Sequence, residues 1–133
     1  MSIKVLRTNK ECGQLPISKA QTRNDWRYEL YVDYDFEIRN IVRSQESVLV
    51  PISLRIAFPE GTYGRITSIP DQRHQLMVDV GVIDDEGRIC LKLKNCGDDK
   101  LMRRLESDPV AHLIVEQVRE VALVEVSAAE ELL

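Results

Sequence analysis

Five sulfur and imidazole side chains in this 133-residue chain could ligate a metal ion: Cys12, Cys90, Cys96, His74 and His112. A structural zinc site needs four such ligands at short paired spacings, and no Cys-x-x-Cys pair occurs, so no metal site is expected. An odd number of cysteines without paired spacing favours reduced thiols in a cytoplasmic or nuclear setting. The chain carries neither a Gly-x-Ser-x-Gly nucleophile elbow nor a glycine-rich phosphate loop. The carboxylates of Asp84-Asp85-Glu86-Gly87 end on a glycine and, as residues alone, read as a solvated turn.

Whatever chemistry these residues perform must be positioned by strands. From Trp26 to Ile38, Trp26, Tyr28, Leu30, Val32, Tyr34, Phe36 and Ile38 alternate with mostly charged residues. Alternation of period two sorts side chains onto opposite faces of a strand, so the stretch reads as one long strand with room for a bend or break. The same period returns at Ile52, Leu54, Ile56 and Phe58, and again at Ile89, Leu91 and Leu93. Leu76 to Ile83 and Val110 to Val118 are apolar runs of strand length, and Ile3 to Arg7 reads as a short first strand.

Turn signals separate these runs: Pro59-Glu60-Gly61, Ile69-Pro70-Asp71, Asp84 to Gly87, and Asn95 to Asp99. Residues 13–25 are polar and aperiodic and read as a surface loop. No segment holds a sustained helical stripe; Ser127 to Leu133 is the best helical candidate, with a turn near Leu101 to Leu105. Short strands with frequent turns predict one all-β domain of sandwich or barrel type, residues 1–126, followed by a short tail, 127–133.

Composition fits a folded globular domain, with 44% hydrophobic and 30% charged residues. A net charge of −4 with interspersed signs gives no basic face for counterion release, which argues against nucleic acid as a partner. Met1 to Leu6 lacks the apolar run of a signal peptide, and no stretch approaches the ~20 apolar residues that span a bilayer.

Pro59-Glu60-Gly61-Thr62-Tyr63-Gly64-Arg65-Ile66 resembles the opening of the second signature motif of the dUTPase family. Tyr28-Glu29-Leu30-Tyr31 resembles the first motif, and Val78-Asp79-Val80-Gly81-Val82-Ile83-Asp84 the third. Asp108-Pro109-Val110-Ala111-His112-Leu113-Ile114-Val115-Glu116 resembles the fourth. The resemblance runs from about residue 2 to 126 with the motifs in family order. It implies a jelly-roll-like β domain assembling as a homotrimer, with active sites at subunit boundaries and a carboxy-terminal arm that reaches a neighbour.

The resemblance also implies site residues. Asp84 matches the aspartate that orients the attacking water. Glu29 stands for the first-motif aspartate, one methylene longer, and His112 for a fourth-motif glutamine, where a protonated imidazole could bind phosphate. Arg65, Ser68 and Gly81 are further ligand-binding candidates. Other positions depart from the pattern. Ile69, Pro70 and Asp71 stand where an Arg-Ser-Gly grips the triphosphate, unless Ser68 or Arg73 takes over a role. Asp79-Val80 replaces Gly-Ala, and the third-motif Tyr-Arg and the glycine-rich fifth motif are missing.

These departures imply kinship with catalytically degenerate members such as the dUTPase-like early proteins of adenoviruses. The expectation is therefore an inert protein-binding adaptor without a cofactor. The alternatives are a divergent dUTP pyrophosphatase or nucleotide-binding trimer that uses Asp84, with Mg2+ only in the enzyme case, and a structural trimer. Leu132 and Leu133, with the terminal carboxylate, form a candidate protein-binding end; the same tail also reads as frayed and solvated.

Overall fold

The computed structural model describes residues 2–18, 26–34, 36, 43–69, 76–98 and 108–133. Nine strands make up the described fold: β1 (Lys4–Arg7), β2 (Ile17–Ser18), β3 (Arg27–Leu30), β4 (Ser47–Val50), β5 (Leu54–Ala57), β6 (Thr62–Thr67), β7 (Leu76–Ile83), β8 (Ile89–Asn95) and β9 (Ala111–Gln117). They form a two-stranded sheet β1-β5, a four-stranded sheet β2-β3-β9-β6 and a three-stranded sheet β4-β8-β7. Every pairing is antiparallel. The all-β expectation holds.

Alternate residues from each strand meet in one core: Leu30 and Val32, Leu54 and Ile56, Leu91 and Leu93, and Ala111 and Leu113 are all buried. Each buried aliphatic side chain of this size contributes roughly 1.5–3 kcal/mol relative to an exposed position. The opposite faces of β9 and β3 turn outward and carry His112, Ile114 and Glu116 beside Arg27 and Glu29. β7 lies close over β6 because Gly81 has no side chain; a Cβ there would come within 2.9 Å of Ile66 Cβ.

The long strand expected from Trp26 to Ile38 ends its ladder at Leu30. Its alternation breaks at Asp33, which is buried, and Tyr34, which is exposed. Donors draw the carboxylate inward. Ser53 N–H donates to Asp33 Oδ1 at 2.7 Å, Ser53 Oγ donates to Oδ2, and Cys12 Sγ lies 3.6 Å from Oδ2. Backbone bonds from Asp33 N to Pro51 O and from Tyr34 N to Cys12 O fix the same crossing. Asp35 and residues 37–38 lie outside the described residues, as do Arg73, His74 and the turn expected near Leu101 to Leu105.

The expected 13–25 loop contains the two-residue strand β2, paired with β3 through Ile17 and Ser18. Beyond β9 the chain runs on with exposed apolar side chains at Val121, Leu123 and Val124, then closes in a single 3-10 turn at Ala129–Leu132. That turn is all that forms of the helix expected over Ser127 to Leu133. None of the three cysteines is in a disulfide. Among the described residues no helix is long and apolar enough to cross a membrane.

Candidate active site

Register places the first-, second- and fourth-motif residues in one row. On the four-stranded sheet Ile17 of β2 stands opposite Glu29 of β3, Glu29 opposite His112 of β9, and His112 opposite Thr67 of β6. Directly opposed residues share a face, so Glu29, His112 and Thr67 project together on the outward side. Ser68 follows Thr67 and is tied down: its Oγ accepts a 2.8 Å bond from Val78 N–H of β7. Tyr31 lies two residues past Glu29, just beyond the end of β3. Burial first, then Glu29, then Asp108, raise the Tyr31 phenol above its ordinary pKa.

Arg65 is on the same face one row further along, opposite Ile114. Its guanidinium is engaged by Glu116: Nη2 and Nε lie 2.7 Å and 3.1 Å from Oε1, while Tyr63 hydroxyl donates to Oε2. The hydrogen bond from Arg65, followed by that from Tyr63, holds Glu116 below the usual carboxylate range. Glu116 in turn raises both Tyr63 and Arg65. Arg65 is thus an ion-paired framework residue of this face.

Asp84 stands on the other sheet, at the β7–β8 turn. Its Oδ1 accepts from the backbone N–H groups of Glu86 and Arg88, both at 2.9 Å. Asp84 N–H donates to Arg88 O, and Gly87 N–H to Asp84 O. Asp84 is exposed, and Oδ2 takes no part in these two bonds. The observed bonds are those of a solvated turn carboxylate: one oxygen folds the hairpin.

The third-motif hairpin is paired from Ile83↔Ile89 to Leu76↔Asn95, with one irregularity between Val78 and Val80. The residue left out of the ladder is Asp79, whose Oδ2 accepts from Ser47 Oγ at 2.7 Å. A bulge of this kind re-aims a side chain beside a site. Of the departures in the second motif, Ile69 is partly buried, while Pro70 and Asp71 lie outside the described residues. Leu132 and Leu133 are exposed, at 76% and 108% relative accessibility, and no described element lies against them. Sequence reasoning missed Thr67, whose place follows only from the β6–β9 register.

Three antiparallel sheets around one core define a β domain of the kind seen in phage dUTPases. The dUTPase of Staphylococcus bacteriophage 80alpha superimposes with a TM-score of 0.69, covering 97% of this chain and 90% of that one at 16% identity. The dUTPase of phage phi11 of S. aureus gives 0.69, covering 98% and 99% at 17% identity. The dUTPase family model matches residues 14–132, and the chain belongs to that family.

The rat deoxyuridine 5'-triphosphate nucleotidohydrolase is 36% identical over 106 residues, spanning 74% of this chain and 49% of that protein. The human mitochondrial form is 33% identical over 119 residues, spanning 84% and 45%. That of fowl adenovirus A is 34% identical over 95 residues, spanning 68% and 51%. The chain therefore covers about half the length of each of these relatives. These findings overturn the expectation of an inert adaptor. Relatives along most of the chain carry the name of the hydrolase, and kinship with degenerate members does not follow from them.

Proposed function

We propose that this chain hydrolyses dUTP to dUMP and pyrophosphate as a homotrimer. The observation that carries the reading is the row Glu29–His112–Thr67, which gathers residues of three motifs on one outward face. A water molecule held by Asp84 Oδ2 loses its proton to the carboxylate and attacks the α-phosphorus. The bond to the bridging oxygen breaks, and pyrophosphate leaves. The His112 imidazole and the Ser68 hydroxyl donate to phosphate oxygens, and Glu29 accepts from the imidazole N–H that faces it. Among the described residues no three His, Cys, Asp or Glu side chains converge on a metal position. Magnesium is therefore assigned to the triphosphate rather than to a protein cage, in keeping with its usual binding.

Asp84 and the Glu29–His112 row belong to different sheets, which favours a site completed between copies. The exposed Val121, Leu123 and Val124 support assembly too, since extended apolar segments in water call for cover. The reduced cysteines fit a cytoplasmic or nuclear compartment. Light scattering should return a mass near three times 15.3 kDa. Purified protein with dUTP and magnesium should release pyrophosphate above a protein-free blank, and Asp84→Asn should abolish it. Release equal to the blank would reject the hydrolytic reading.

A further inference from the structure

We propose that Arg55 is a positioning residue that holds the β7–β8 turn against β5 and so fixes the direction of the Asp84 carboxylate. This rests on the hydrolytic reading above and adds a residue to its site. Asp84 is exposed at the turn, so its carboxylate moves wherever the tip of the hairpin moves. A displacement of about 1 Å at a reacting group can cost on the order of 100-fold in rate. Three contacts tie the tip to β5. Arg55 Nε donates to Glu86 O at 2.8 Å, across 31 positions of sequence. Ile56 N–H donates to Gly87 O at 2.9 Å, and Arg55 and Arg88 face each other as an isolated antiparallel bridge.

The peptide groups held in this way are the ones that bind Asp84. Arg55 takes the carbonyl of the peptide whose N–H, that of Gly87, donates to Asp84 O. Ile56 takes the carbonyl of the next peptide, whose N–H, that of Arg88, donates to Asp84 Oδ1. The base of the link is firm. Leu54 and Ile56, on either side of Arg55, are buried, and Leu6 of β1 stands opposite Arg55 in the ladder. With both neighbours turned into the core, the Arg55 side chain is left on the outward face, within reach of the turn. A guanidinium is a charged donor and bonds a carbonyl more strongly than a neutral group does. The other side-chain contact at the turn adds little: Arg88 Nη1 lies 2.9 Å from Glu86 Oε2, an ion pair with both partners exposed. The order of action is Arg55 on the Glu86–Gly87 peptide, that peptide on Asp84, and Asp84 on the attacking water. A support of this kind fixes the geometry of groups it does not replace.

Arg55→Met keeps an aliphatic stem and deletes the donor. With dUTP, kcat should fall about fivefold while KM stays within about twofold of the parent. Glutamine carries an N–H donor the same number of bonds from Cα as arginine Nε, so Arg55→Gln should keep kcat within about twofold. Amide exchange at Gly87 and Arg88 should quicken about fivefold in Arg55→Met and stay unchanged at the buried Leu93, the mark of a local loosening. An unchanged kcat in Arg55→Met, an equal loss in Arg55→Gln, or unchanged exchange at Gly87 and Arg88 overturns the proposal. If the parent releases no pyrophosphate, the hydrolytic reading fails, and the exchange comparison still decides whether Arg55 holds the turn. Should Arg55→Met not fold, the parent decides: Arg55 Nε–H exchanging more slowly than Nε–H of the exposed Arg7 supports the link, and equal rates overturn it.

Discussion

Glu29 and His112 are direct partners across the antiparallel ladder of β3 and β9, with most of the chain between them in sequence. If the imidazole binds phosphate, His112→Ala should raise KM for dUTP about fivefold to tenfold, the loss of one hydrogen bond to a charged group. His112→Gln, which keeps an N–H donor there, should stay within about threefold of the parent. Steady-state kinetics on the two variants separates a donor role from simple strand packing.

Asp84→Asn should cost activity without unfolding the hairpin. Asparagine keeps an oxygen able to accept from Glu86 and Arg88 N–H, the bonds that close the turn. It cannot take a proton from water, so kcat should fall about 100-fold or more. A thermal midpoint within about 2–4 °C of the parent would locate the loss in chemistry, because such a shift corresponds to about 1 kcal/mol or less.

Asp33→Ala should be among the most damaging single changes. It strands the Ser53 N–H and hydroxyl in a half-buried setting and removes the anchor of the Cys12 turn. Orphaning partners of a buried carboxylate costs about 3–5 kcal/mol. Urea unfolding should show a midpoint lowered accordingly, with Asp33→Asn falling in between.

Gly87→Ala should destabilise through backbone geometry alone. Gly87 has φ +81°, and a Cβ there would come 2.3 Å from Ile56 O. The left-handed conformation costs a residue with a side chain about 1–2 kcal/mol before any clash. The neighbouring strand must then move away, breaking the 2.9 Å bond from Ile56 N–H to Gly87 O. A lower thermal midpoint together with faster amide exchange at Ile56 is the expected result.

The ion pair of Glu116 should appear in the acid limb of stability. Arg65 and then Tyr63 hold the Glu116 carboxyl below the usual carboxylate range. A depressed carboxylate adds stability that is present above its unfolded pKa and is lost as pH falls through the folded one. The difference between parent and Glu116→Gln should therefore be steady at pH 6–7 and shrink below about pH 4.5. Because the groups are solvent-exposed, 1 M salt should remove most of it.

Strands β5, β7, β8 and β9 were legible because each buries one face and exposes the other, which writes a period of two into the sequence. β2 left no such mark: two residues in a polar stretch are paired only because β3 offers an edge. The end of β3 was hidden for a different reason. Asp33 occupies the alternation slot of an outward charge, and only the donors at Ser53 and Cys12, remote in sequence, turn it inward. The motif positions of Asp84 and His112 were legible through motif order. Their settings were not, since an aspartate that also closes a turn and a histidine facing a glutamate depend on register. Reading the departures at Ile69 to Asp71 as loss of activity gave too much weight to single positions against kinship along the whole chain.

β9 is the last strand in sequence yet sits between β3 and β6 in its sheet. During synthesis β3 and β6 emerge first and wait with unmated backbone edges and bare apolar faces. Nascent chains in that condition are candidates for wrong partnering and for chaperone capture. Ribosome-bound chains halted before Ala111 should therefore remain protease-sensitive, and protection should arrive abruptly once Gln117 has cleared the exit tunnel.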